Sequence, residues 1–90
     1  MIAVMSYYFA YVLESEQDKS WYIGFSTNIK DRLQAHNSGK NVSTKSKRPW
    51  KIIYFEGYLD KRDALGREKF LKSGSGHTYL KKQLKNFLID

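Results

Sequence analysis

The chain has 90 residues, a length that suits a single domain over residues 1–90 able to bury roughly 60% of its unfolded surface without staples. It holds no cysteine, which rules out thiol chemistry, disulfides and thiolate zinc sites. Sixteen Lys and Arg against nine Asp and Glu give a net charge of +7 and, with 16% aromatic residues, a surface suited to polyanions.

The opening MIAVM is apolar but too short for a membrane span and has no basic leader, so the chain reads as cytoplasmic, with no membrane partner. YYFAYVL (residues 7–13) is aromatic, β-branched and nearly continuous in apolar residues, which predicts a strand covered on both faces. ESEQDKS then reads as a loop, and WYIGF (residues 21–25) completes an antiparallel hairpin. Ser26, Thr27 and Asn28 are N-cap candidates, Asp31 favours a first turn and Gly39 a stop, so a helix is predicted over about 29–37. KNVSTKSKR (residues 40–48) reads as a mobile basic loop, and WKIIYFEGY (residues 50–58) as the third strand. Asp60 caps a helix through about residue 72. SGSG (residues 73–76) breaks it, and a last helix over about 78–89 carries Leu80, Leu84, Phe87 and Leu88 toward the core. The predicted fold is an α/β, α+β sandwich: a small three-stranded antiparallel sheet flanked by helices in the order β-β-α-β-α-α, with strand order open.

Some residues break this pattern. Ile29 and Leu33 set the apolar stripe of the first helix, yet Arg32 and His36 fall on the same stripe. A guanidinium there needs a carboxylate, a carbonyl or an external phosphate, or else it snorkels to water. On the second helix Glu68 projects from the side defined by Ala64, Leu65 and Leu71, and it is either the ion-pair partner of Arg32 or a ligand for a hard metal such as Mg²⁺. In the second strand Tyr22 and Gly24 share a face, and the glycine leaves a hollow beside the phenol. Tyr11, on a face with Tyr7, Phe9 and Leu13, can stand next to Tyr22 across the hairpin. Singly, each of these residues also has an ordinary structural reading. Jointly, two phenols, an arginine, a histidine and a carboxylate are a kit for metal-assisted phosphodiester hydrolysis.

FAY (residues 9–11), YIG (residues 22–24), Arg32, His36 and the REK containing Glu68 resemble the GIY-YIG nuclease domain, the family of homing endonucleases and of the excinuclease subunit that incises damaged DNA in repair. The spacing is shared with family members: eleven residues from Tyr11 to Tyr22, ten from Tyr22 to Arg32 and four from Arg32 to His36. The small stand-alone members are the nearest in appearance. The resemblance implies a metal-dependent endonuclease that nicks DNA or acts on DNA structure, with DNA favoured over RNA and no small-molecule cofactor. It implies catalytic roles for Tyr11, Tyr22, Arg32 and His36, one Mg²⁺ or Mn²⁺ ion held by Glu68, and Gly24 making room for the phenols. Tyr11, on an inner strand, is the favoured base of the two. Lys40, Lys45, Lys47 and Arg48 are expected to contact backbone phosphates. Phe9 and Ala10 stand where the motif has Gly and Ile, and Leu80 stands where several members carry an asparagine. Two rival readings are a nucleic-acid-binding protein without catalysis and an interaction module in which Arg32 and Glu68 merely pair.

Overall fold

A computed structural model describes residues 6–89; the reading of residues 1–5 lies outside the described residues. Strands β1 (Tyr8–Ser15), β2 (Trp21–Ser26) and β3 (Trp50–Tyr58) form one antiparallel sheet in the order β2-β1-β3. Helix α1 (Ile29–Asn37) follows β2, and α2 (Lys61–Lys72), α3 (Gly74–Gln83) and the short α4 (Lys85–Leu88) follow β3. The expected α+β order and three-stranded antiparallel sheet are observed.

The central place of β1 explains its unbroken apolar run. Ala10 and Val12 point to one face and Tyr11 and Leu13 to the other, and all four are buried. On the first face they meet Ile23, Leu71 of α2 and Leu80 of α3. On the second, Tyr11, Leu13 and Trp50 pack against Tyr22, Ile52 and the Ile29 and Leu33 stripe of α1. The sheet therefore separates two cores, and each apolar residue from Ala10 to Leu13 contributes to one of them.

Three element boundaries differ from expectation. β1 continues through Glu14 and Ser15, both buried, because each polar group has a partner. The Glu14 carboxylate accepts from Trp21 Nε1 at 3.2 Å, and the Ser15 hydroxyl donates to the Lys47 carbonyl at 2.8 Å. The SGSG segment does not separate helices by a loop: Ser73 caps α3 by accepting from the Gly76 N–H at 3.1 Å. Gly76 is needed for closeness, since a Cβ there would lie 2.0 Å from the Phe70 carbonyl oxygen. Leu84 then breaks the last helix, so that Phe87 and Leu88 on α4 are exposed instead of facing the core, and Leu65 of α2 is exposed as well.

Candidate active site

Tyr11 and Tyr22 reach the α1 face from neighbouring strands, with ring centroids 6.4 Å apart. Gly24 pairs directly with Tyr11 in the sheet register. A Cβ on Gly24 would lie 2.5 Å from Tyr11 Oη and 2.6 Å from Cζ, so the phenol ring occupies the space that only glycine leaves open.

His36, in the last turn of α1, is buried against both phenols. Its ring meets Tyr22 edge-on at 4.7 Å and Tyr11 at 6.4 Å. Nε2 lies 3.2 Å from Tyr11 Oη, and Nδ1 lies 2.8 Å from Thr44 Oγ1. The Thr44 hydroxyl has the Asn41 carbonyl as acceptor for its own proton at 3.4 Å, which leaves a lone pair for His36 Nδ1–H. Nε2 is then unprotonated and accepts the Tyr11 O–H. Burial, with the Arg32 charge behind it, holds His36 below the ordinary imidazole range, so the ring is neutral at pH 7. Burial, followed by Tyr22 and Glu68, raises the proton affinity of Tyr11, while Arg32 pulls it down.

Arg32 differs from its expected inward placement. It is exposed, and with Ala35, His36, Lys40, Asn41 and Val42 it lines a hollow of about 390 Å³. Its guanidinium makes no ion pair among the described residues, so no Arg32–Glu68 pair exists. Glu68 is paired instead with Lys72 at 3.1 Å, its side chain 20% exposed and that of Lys72 55%. Ala64 and Leu71 of α2 are buried on either side of Glu68 in sequence, so the carboxylate sits at the margin of a core-facing helix side. Exposure thus sorts these residues into two layers. Tyr22, Arg32 and Glu68 reach solvent, whereas Tyr11, His36 and Thr44 are buried.

The basic loop, expected from its composition to be mobile, is held by several hydrogen bonds. A 3-10 turn (Lys45–Lys47) follows the buried Thr44, whose carbonyl accepts from Trp50 Nε1 at 2.9 Å. Gln17 Nε2 donates to the Arg48 and Ser46 carbonyls. The Asn37 amide clamps Trp50, accepting from its N–H at 2.6 Å and donating to its carbonyl at 3.0 Å. Arg48 Nε donates to the Lys45 carbonyl at 2.7 Å, and Lys47 lies 3.5 Å from Asp18. Lys40 and Lys45 carry no ion pair among the described residues. Thr44 and Asn37 are the residues that sequence reasoning missed, since a threonine in a polar loop and an asparagine at a helix end give no signal of burial.

A second polar cluster was also not foreseen. Glu56 of β3 accepts from Arg67 Nε and a terminal Arg67 nitrogen at 2.7 and 2.8 Å and from the Tyr54 and Tyr58 hydroxyls. These bonds, the Arg67 guanidinium first, hold Glu56 down at about 2. The cluster ties α2 to β3 one residue from Glu68. A concavity of about 690 Å³, bounded by Trp21, His77 and Phe87, lies away from the phenols.

Residues 7–83 match the model of the GIY-YIG catalytic domain. The chain belongs to the GIY-YIG family. This is a nuclease family whose members are generally metal-dependent. Relatives include a UPF0213 protein of Streptococcus pneumoniae, 43% identical over 71% of this chain and 65% of its own length. Another, UPF0213 protein SH2523 of Staphylococcus haemolyticus, is 35% identical over 86% of this chain and 94% of its own. UPF0213 protein YsiG of Lactococcus lactis is 37% identical over 94% and 82%. The chain thus spans about 65% of the length of the pneumococcal relative and nearly all of the staphylococcal one. At the position where several GIY-YIG members carry an asparagine, Leu80 is fully buried in the core beneath α3, where a lone amide would be costly.

The donor set fits a lightly held hard cation. Among the described residues no three His, Asp or Glu side chains form a metal cluster, so the carboxylate to weigh is Glu68, the one the resemblance points to. Mg²⁺ is commonly held by one or two carboxylates, with water and substrate phosphate completing its shell. Lys72, more than half exposed, is a weak competitor. No helix of the described residues is long and apolar enough to cross a membrane.

Proposed function

We propose that this chain is a cytoplasmic, metal-dependent endonuclease that nicks DNA at the Tyr22–Arg32–Glu68 surface. The observation that carries the reading is the layered arrangement itself: a neutral histidine fixed between Tyr11 and Thr44, edge-on to a half-exposed phenol and beside an unpaired arginine. A structural module has no use for such a set. With no Arg32–Glu68 pair among the described residues, the interaction-module reading loses its motive.

Burial reverses the preference between the phenols. Tyr11 is 1% exposed, its O–H is committed to His36, and its proton affinity is raised, so it is the positioning member. Tyr22, half-buried, is the phenol that meets the attacking water, taking its proton while passing its own to solvent; His36, with both ring nitrogens bonded to Tyr11 and Thr44, packs edge-on against the Tyr22 ring and holds it in place. Arg32 stabilises the charge that develops on the phosphoryl oxygens. Glu68 would hold Mg²⁺ or Mn²⁺, and the ion, when bound, supplies Lewis-acid stabilisation of the leaving oxygen. Lys40 and Lys45 grip the flanking backbone.

The test is nicking of supercoiled plasmid with Mg²⁺, with Mn²⁺ and with EDTA, using wild type and Tyr22→Phe. Wild type should nick only with the metal, and Tyr22→Phe should be slower by at least about a hundredfold. Plasmid binding without metal-dependent nicking would establish the non-catalytic binding reading instead.

A further inference from the structure

Helix α1 covers only part of its sheet face. Beyond Tyr11, the face continues through Phe9, Phe55 and Tyr7, and there no helix of the described residues lies over it: Phe55 is 57% and Tyr7 42% exposed. Phe55 is the direct cross-strand partner of Tyr11 in β3. The Phe9 and Phe55 rings meet edge-on at 6.0 Å, and Tyr7 tilts against Phe9 at 6.3 Å. Gly57 pairs with Phe9 and leaves the rings room to lie across β3; a Cβ there would press on Phe9 at 3.1 Å. A hollow of about 550 Å³, bordered by Tyr7, Phe9, Thr27 and Asn28, opens at the same end.

We propose that Tyr7, Phe9 and Phe55 form a stacking platform for unpaired DNA bases, so that the strand entering the Tyr22–Arg32–Glu68 surface is single-stranded. Exposed aromatics on a sheet face are what base stacking requires, since every base has a π-face and duplex bases do not expose theirs. The patch is built mainly of rings, with the exposed Leu59 at its end, and flat rings suit flat ligands. The charge of +7 attracts a polyanion and repels a second copy of the same chain. The platform rests on the proposed function only in the choice of DNA and in the direction of the strand.

Binding is measured by fluorescence anisotropy in EDTA, where cleavage plays no part, with oligo-dT, oligo-U and a blunt duplex of equal length. Phe55→Ala should weaken oligo-dT binding by at least about fivefold, the lower end for losing one stacked base, with duplex binding unchanged. Phe55→Leu, which stays apolar but loses the ring, should lose a similar factor, and Phe55→Tyr should keep wild-type affinity. Equal losses on duplex, or no loss on oligo-dT, would overturn the platform. So would a wild-type dimer in sedimentation that Phe55→Ala converts to monomer. Tighter binding of oligo-U than oligo-dT would overturn the choice of DNA. If wild type fails to nick plasmid yet Phe55 still governs oligo-dT binding, the nuclease reading falls and the platform stands.

Discussion

Gly24→Ala isolates the relation between the YIG strand and the buried Tyr11–His36 pair. The added methyl would sit 2.5 Å from Tyr11 Oη, 2.6 Å from Cζ and 3.0 Å from Cε2. Ordinary contact needs about 3.5 Å or more, so the phenol must move by roughly 1 Å. Tyr11 is 1% exposed and packed among Leu13, Trp50 and Tyr22, so it cannot move outward into solvent. Overpacking of this kind costs about 1 to 3 kcal/mol. In a domain of this size that is a fall in Tm of roughly 4 to 20 °C. The displaced hydroxyl also loses its 3.2 Å bond to His36 Nε2. A misplacement of about 1 Å in a catalytic layer lowers a rate about a hundredfold. Thermal denaturation reads the first effect, and ¹⁵N shifts of the His36 ring together with single-turnover nicking read the second. A Gly24→Ala protein with wild-type Tm and an unchanged His36 ring signal would refute the packing described for Tyr11.

Thr44→Val keeps the side-chain shape but removes the acceptor for His36 Nδ1–H; it should cost about 1 to 3 kcal/mol and give a mixture of ring tautomers by NMR, and a single unchanged tautomer would contradict the role assigned to Thr44. Glu56→Gln should lose roughly 3 kcal/mol at pH 7, because the carboxyl falls from 4.5 to about 2 on folding. A depressed carboxyl stabilises above its unfolded value and loses that contribution as pH falls toward 2, so the difference between variant and wild type in urea unfolding should shrink between pH 4.5 and 2; a gap independent of pH would remove the ionic cause. Replacing Lys40 and Lys45 with Gln should make the log Kd against log salt slope for DNA shallower by up to about two, whereas Lys47→Gln, whose amine already faces Asp18, should change it less.

The sheet, the helix order and the caps at Asn28 and Asp60 were legible because each rests on local pattern: alternation or continuous apolar runs for strands, and polar caps before periodic segments for helices. The run from Tyr7 to Leu13 told of a strand covered on both faces, because it is nearly continuous in apolar residues. Strand order was not legible, since pairing is non-local. The spacing of Tyr11, Tyr22, Arg32 and His36 was readable, but their depth was not. Helical periodicity puts Arg32 and His36 on one side; the turn of α1 over the sheet edge then buries the second and leaves the first in solvent. Thr44 and Arg67 were invisible for a different reason. Each is buried or half-buried only because a distant polar partner, His36 or Glu56, satisfies it, and composition records no such partnership.

Glu68→Ala tests the central claim most directly. Because the ion-pair partner of Glu68 among the described residues is the exposed Lys72, its removal should cost less than about 1 kcal/mol, in contrast to the 3 to 5 kcal/mol expected on breaking a buried ion pair. The measurement is Mg²⁺-dependent nicking of supercoiled plasmid by wild type and Glu68→Ala, with Tm and EDTA-phase DNA binding recorded on the same samples. The account predicts nicking by wild type, a loss of at least about a hundredfold in the variant, and unchanged Tm and binding. Full nicking by Glu68→Ala, or none by wild type, would contradict it.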